Sequence, residues 1–312
     1  SDNSNPRLTV LIPAYNAGSK WLLESIKSVM AQTMKDLEIF IVDDGSTDGS
    51  VHAVKGEIND PRIHWIFQEN MGKPATINKV MKMARGEFFA VQDADDFCSP
   101  CRFEKQIAAL DADPTLAGVF CGYDISILGR RMAPTFLDLT KEECDTLIDR
   151  FSMPGHDPTA CYRLKKIIDF KYAEDLRVGQ GIDFILRVGE RSPLSKIRGC
   201  FYTYRIHPDS ITRSDPAMRD RLAHEAIRRA HLRRGLDFKK DLGNSTKTRE
   251  DNRVYAIFIM SVKEHQFEGK YLQSLRIAFD SIRVAPRDPC YYLPLLHCLL
   301  PGVFKRWWKS LR

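Results

Sequence analysis

Between residues 8 and 92 the chain switches repeatedly between two hydrophobic periods, and this alternation constrains its fold more than any other feature. Residues 8–14, LTVLIPA, are a short apolar run of strand type, and residues 20–34 then repeat Leu22, Leu23, Ile26, Val29 and Met30 at helical spacing. Residues 37–42, LEIFIV, form a second buried-type run, closed by the turn-forming DDGSTDGS, before a helical pattern resumes from Val51 to Ile58. Arg62 to Phe67, Lys73 to Arg85 and Glu87 to Gln92 continue as strand, helix and strand. Such alternation predicts a parallel α/β sheet with right-handed crossovers. Ligands of these sheets sit at the carboxyl ends of the strands, so the loops at 13–18, 43–49 and 93–100 should converge on one cleft.

At 312 residues the length favours two domains of about 150 residues each. Hydrophobic residues at 43% and charged residues at 28% exclude disordered, collagen-like and disulfide-scaffold classes. Strands near 118–123 and 200–205, with helices near 140–151 and 180–190, are expected to complete the same sheet. After Arg213 the sequence turns basic, with 21 Lys and Arg against 11 Asp and Glu. The expected organisation is an α/β domain over 1–212 and a basic helical extension over 213–312, with helix-like segments near 218–234, 250–265 and 269–284. Eight irregularly spaced cysteines point to reduced thiols, and the polar start SDNSNPR lacks the apolar core of a signal peptide, so a cytoplasmic location is expected. The longest apolar run, Tyr291 to Leu300, is half the length a bilayer-spanning helix needs, about 20 residues.

The strongest chemical signal is VQDADDF at 91–97, where Asp93, Asp95 and Asp96 follow directly on a buried-type strand. Three carboxylates within four residues repel one another, and oxygen-only ligands select a hard cation, Mg²⁺ or Mn²⁺, of the kind that bridges phosphates. Alone, the motif also reads as an exposed acidic turn. A second acidic loop, Asp43 to Asp48, also ends a strand. Cys98 and Cys101 have half the spacing of a zinc site, but no second such pair exists.

Taken in order, these features resemble glycosyltransferase family 2, whose members have the GT-A fold. They are the strand with Pro13, Tyr15 and Asn16, the helix ending Ala31-Gln32-Thr33, IVDDGSTDGS, and ENMGKPATIN followed by Ala84-Arg85-Gly86. Then come DADD and the late strand YRIHPDSIT, so the resemblance covers about residues 7–212. It implies a GT-A architecture, an α/β mostly parallel central sheet flanked by helices. It also implies that Pro13, Ala14 and Tyr15 lie against the nucleobase and that Asp44 hydrogen-bonds it. Asp93 and Asp95 would form the Asp-x-Asp pair on the donor diphosphate, with Asp95 as the main ligand of Mn²⁺ or Mg²⁺ and Asp96 as the alternative. Lys73 would approach the uridine or diphosphate, and His207 would be a third metal or diphosphate contact.

The family's base opens a helix, and the match here is Gly181-Ile182-Asp183-Phe184-Ile185-Leu186-Arg187, which gives the base role to Asp183 although Ile182 replaces the preceding acidic residue. Glu174-Asp175 is a competing acidic pair, and His156-Asp157 matches a region used beside the acceptor. The implied activity is metal-dependent inverting transfer of a sugar, from a UDP-sugar, to a hydroxyl of a glycan or lipid-linked acceptor in surface polysaccharide synthesis. The alternatives are a nucleotidyltransferase on a similar scaffold and a catalytically silent nucleotide-sugar-binding subunit. Six arginines across 218–234 lack the interleaved aromatics of a nucleic-acid site, so no nucleic-acid partner is expected. Val303, Phe304, Trp307, Trp308 and Leu311 do interleave with Lys305, Arg306, Lys309 and Arg312, which predicts a peripheral helix within 291–312 at the inner face of a membrane.

Overall fold

The computed structural model describes residues 5–127, 129–132, 138–176, 178–206, 216–238 and 271–299, with single positions at 258, 259, 262 and 266. The chain divides into two compact units: 1–124, 135–205 and 217–239 form the first, and 125–134, 206–216 and 240–312 the second. The division therefore falls elsewhere than at residue 212. Helix Pro216–Arg233 belongs almost wholly to the first unit, where Ala230 is buried in a core cluster.

In the first unit, β1 (Leu8–Ala14), β2 (Leu37–Asp44), β3 (Ile63–Gln68) and β4 (Phe88–Val91) alternate with α1 (Ser19–Met30), α2 (Ser50–Glu57) and α3 (Lys73–Met83). Pairing of β3 with β2, β2 with β1 and β1 with β4 is parallel, as the alternation predicts. Beyond β4 the sheet is mixed rather than mostly parallel. β8 (Ala160–Arg163) runs antiparallel to both β4 and β6 (Gly118–Ile127), and β5 (Phe97–Cys98) runs antiparallel to β9 (Leu194–Ile206). The strand order is β3-β2-β1-β4-β8-β6-β9-β5. The remaining strand, β7 (Arg130–Met132), pairs with Ile125–Ile127 in the second unit.

Strand alternation distributes the apolar side chains to two cores. Leu8, Val10 and Ile12, with Leu37, Ile39 and Ile41, face Leu22, Ile26 and Val29 of α1 and Phe103, Ile107 and Leu110 of α4 (Arg102–Ala112). Leu11, Phe40, Val42, Phe89 and Val91 face Ile77, Val80 and Met81 of α3 and the aliphatic side of α7 (Gln180–Gly189). Period-2 strands between period-3.6 helices thus give helix, sheet and helix layers.

The Ala84-Arg85-Gly86 motif closes the strand side of this sandwich. Thr9 Oγ1 donates to Glu38 Oε1 (2.7 Å), Arg85 donates to Glu38 Oε2 (2.8 Å), and Gly86 N donates back to Thr9 Oγ1 (3.0 Å). Burial pushes the Glu38 carboxyl up, but these hydrogen bonds and the Arg85 charge outweigh it and hold it below the usual range. Position 86 must be glycine because a Cβ there would run into the Thr9 amide and stand 2.7 Å from Leu8 C.

Among the described residues no helix is long and apolar enough to cross a membrane. All eight cysteines are free, and Cys98 lies buried against Ser28 and Gln32.

Candidate active site

The ends of β1 and β2 are tied together by short polar side chains. Asn16, at φ 49°, accepts at Oδ1 from the Thr47 amide (2.8 Å), Gly18 N donates to Asp48 (3.1 Å), and Asp43 Oδ1 accepts from Ser46 N three residues on (2.8 Å). At the end of β1, Ala14 is buried and Tyr15 is 43% exposed, so Tyr15 is the residue that offers a ring surface. Asp44 is 4% exposed, and its oxygens already accept from Met71 N (2.8 Å), Gln68 Nε2 (2.9 Å) and Gly72 N (2.9 Å). In this structure Asp44 holds the glycine loop that leads into α3.

That loop delivers Lys73, the first residue of α3, to the acidic motif: Lys73 Nζ donates to Asp93 Oδ1 at 2.5 Å. Burial disfavours the ammonium, but Asp93, Asp157 and Asp95 outweigh it and raise Lys73 above its ordinary value. Asp95 is half-buried on the same turn. Asp96 points inward: it is fully buried and accepts from Tyr202 Oη (2.6 Å) and Arg205 N (2.8 Å), both on β9. Burial, with the charges of Asp95 and Asp93, pushes its carboxyl well above the usual range. Asp96 therefore braces the loop and is not presented to a ligand.

Arg102, at the start of α4, is a residue that sequence reasoning missed. It is fully buried and donates to Gln92 Oε1 (2.9 Å), Pro158 O (2.5 Å) and Ala160 O (3.2 Å). One guanidinium thus joins the strand end before Asp93 to the segment after Asp157. The signal for it is faint, a single Arg four residues before Gln106, to which it also donates (3.1 Å).

Asp157 opens a short 3-10 turn, Asp157–Thr159, whose chain position the fold brings beside the acidic loop. Both Tyr162 and Tyr172 donate to its Oδ1 at 3.0 Å. Lys73 and Asp93 act on it electrostatically, and Asp93 also acts on His156, whose Nε2 lies 3.1 Å from Tyr123 Oη.

The expected base is placed differently. Asp183 is 3% exposed, with Oδ2 accepting from Arg187 (2.8 Å) and Oδ1 from Arg233 (3.2 Å). Those arginines line a groove between α5 (Lys141–Asp149), α7 and the helix Pro216–Arg233, and none of the groove's residues comes from the β1, β2 or β4 loops. The competing pair is also engaged elsewhere, Glu174 accepting from Asn78 (2.9 Å) and Asp175 from Arg229. His207 and residues 300–312 lie outside the described residues.

Asp93 and Asp95 supply hard carboxylate oxygens on one turn, which suits Mg²⁺ or Mn²⁺. Among the described residues no group of three His, Cys, Asp or Glu side chains is placed to hold a metal.

Comparison with known proteins agrees with this architecture. A family model described as glycosyl transferase family 2 matches residues 9–170. Chondroitin synthase of Escherichia coli is 35% identical over 116 residues, 37% of this chain and 17% of that protein. The putative glycosyltransferase EpsH of Bacillus subtilis is 31% identical over 219 residues, 66% of this chain and 62% of that one. The chain thus spans less than two thirds of the length of either relative. Among solved structures, TarS 1-349 of S. aureus in complex with UDP superposes with a TM-score of 0.56 over 92% of this chain and 89% of that one. At 18% identity that likeness speaks for the fold. The chain has the GT-A fold and belongs to glycosyl transferase family 2.

Proposed function

We propose that the chain transfers a sugar, with inversion, from a UDP-sugar to a hydroxyl of a glycan or lipid-linked acceptor in surface polysaccharide synthesis. The observation that carries this reading is the Lys73–Asp93 pair beside Asp95, at the carboxyl edge of the parallel strands. Tyr15 offers a ring for a base, and the β1 and β2 loops are pinned so that a nucleoside meets a formed surface. UDP is favoured as the carrier because TarS 1-349 was solved with UDP and with UDP-GlcNAc. Asp93 and Asp95 would hold Mg²⁺ or Mn²⁺, which when bound supplies positive charge to a departing diphosphate. Lys73 is placed to follow the same charge, exchanging its Asp93 partner for a phosphate oxygen.

A thermal-shift panel of UDP-sugars with and without Mn²⁺ tests the reading. Binding at 100 times Kd stabilises a protein by about 2.7 kcal/mol, so a shift of several degrees that requires Mn²⁺ is expected. Indifference to every UDP-sugar, or release of pyrophosphate in place of UDP during turnover, would overturn it.

We further propose a peripheral contact between the second unit and the inner face of a membrane. Its helix Tyr271–Val284 buries Ser274, Asp280 and Ser281 while leaving Leu272 79% and Phe279 53% exposed. Leu296 and Leu299 of the helix Leu293–Leu299 are also exposed, and Arg276, Arg283 and Arg287 add positive charge. Exposed apolar side chains among basic residues suit an anionic lipid surface. Leu272→Glu with Phe279→Glu should reduce co-sedimentation with phosphatidylglycerol vesicles by about ten-fold or more and leave UDP binding unchanged. Undiminished vesicle binding by this double variant would remove the contact from these helices.

A further inference from the structure

We propose that Tyr202, assisted by Ser25, is the positioning residue that presents Asp95 to a divalent ion. The inference rests on the reading above, in which Asp93 and Asp95 hold Mg²⁺ or Mn²⁺, and identifies the groups that give their turn its shape.

Residues 93–96 form a tight turn in which Asp96 N donates to Asp93 O (3.2 Å). Both ends of the turn are also claimed from outside it. A single hydroxyl, Tyr202 Oη, accepts from Asp93 N (3.4 Å) and donates to Asp96 Oδ2 (2.6 Å), so it spans the turn from first residue to last. Ser25 Oγ of α1 donates to Asp93 O (2.8 Å), and both backbone polar groups of Asp93 are thereby held. With residues 93 and 96 fixed, Ala94 and Asp95 take the two corner positions. Ala94 is buried in the core beneath α1, and Asp95 is half-buried.

The two hydroxyls are themselves fixed. Tyr202 is 2% exposed, stands opposite Cys98 in the β5–β9 pairing, and has the Arg102 guanidinium 5.0 Å from its ring centroid. Next to it, Phe201 O accepts from Ser99 N (2.9 Å), which ties β9 to the segment just after the turn. Ser25 is fully buried and belongs to a polar stripe at helical spacing on α1. Along that stripe Ser28 Oγ accepts from Cys98 N (3.2 Å) and Gln32 Nε2 donates to Ser99 O (2.9 Å). The acidic turn is thus gripped by α1 on one side and β9 on the other. Outer groups that orient metal ligands are worth about 10- to 100-fold in metal affinity, and Tyr202 Oη touches both ends of the turn that carries the ligands.

The test compares Tyr202→Phe and Ser25→Ala with wild type in the full chain, each variant removing one oxygen from a packed side chain. Calorimetry with UDP over a series of Mn²⁺ concentrations gives the Mn²⁺ needed for half-maximal binding and the UDP affinity at saturating Mn²⁺. Melting temperature is read without metal. The expected result is a half-saturating Mn²⁺ concentration raised about ten-fold or more in Tyr202→Phe and about three-fold or more in Ser25→Ala, with UDP affinity at saturation close to wild type. A merely structural hydroxyl would lower the melting temperature and leave half-saturation in place, because well below melting nearly every molecule is folded. Asp96→Asn is the control: it keeps an oxygen to which the phenol can donate, so its melting temperature should fall while half-saturation changes little. A rise of less than about five-fold in Tyr202→Phe, or an equal rise in Asp96→Asn, overturns the proposal. Should Tyr202→Phe fail to fold, Ser25→Ala decides: a rise of about three-fold or more supports the proposal and a smaller one overturns it. A wild type whose UDP binding is indifferent to Mn²⁺ overturns the metal reading itself, and this assignment with it.

Discussion

Asp95→Ala abolishes metal-dependent UDP binding while leaving the fold intact. Of the three carboxylates on the turn after β4, Asp96 is buried against β9, while Asp93 and Asp95 are both half-buried, Asp93 paired with Lys73. If Asp95 is the main oxygen ligand of the ion, as proposed, removing it would leave a bound diphosphate facing Asp93 with less positive charge between them. A drop in UDP affinity of about 100-fold or more in Mn²⁺ is expected, since changes in residues that merely support metal ligands already cost about 10- to 100-fold. Without metal, wild type and variant should bind equally weakly. Calorimetry that finds the Mn²⁺ dependence unchanged would move the ion away from this loop. Asp96→Asn is the useful contrast, because its effect should appear in melting temperature more than in the metal dependence.

Arg102→Met costs about 3–5 kcal/mol of folding stability. Methionine fills much of the same volume but leaves Gln92 Oε1, Pro158 O and Ala160 O without their shared donor, and an unsatisfied buried acceptor costs about 1–3 kcal/mol. Domains are typically stable by about 5–15 kcal/mol, so the loss is a large fraction. In a domain of this size it corresponds to a drop of about 10 °C in melting temperature. Lysine is not an adequate substitute, since a single ammonium cannot reproduce the planar fork that reaches four separate acceptors. A melting temperature within about 2 °C of wild type would show that water replaces the guanidinium.

The first half of the fold is legible because each element there carries one hydrophobic period and a clear stop. Ile77, Val80 and Met81 mark α3, and Leu8, Val10 and Ile12 mark β1, on alternating faces of a sheet whose parallel neighbours follow within a few tens of residues. Beyond residue 92 the signals weaken. β5 has two residues and β8 has four, too few for a period, and their antiparallel partners are distant in sequence. The acidic loop was likewise legible as a cluster, but the division of labour within it was not. Asp96 is claimed by Tyr202 and Arg205, which lie more than 100 residues later. Asp183 fits a helix-start pattern, yet Arg187 one turn on and Arg233 from another helix claim both its oxygens. Asp157 was legible only as part of a His156-Asp157 match; its setting is made by Tyr162, Tyr172 and the bare backbone of Gly181.

The pairing of β5 with β9 also sets a timetable for synthesis. By residue 91 the ribosome has supplied β1 to β4, the strands that pair in parallel among the described residues, so this part of the sheet can close locally and early. The turn bearing Asp93, Asp95 and Asp96 is made only a few residues later, but Tyr202 and Arg205, which fix it, follow after a delay of roughly 5–20 s at ordinary translation rates. During that interval the nascent chain carries three neighbouring carboxylates with nothing to seat the third. The seating of this turn therefore arrives only with β9.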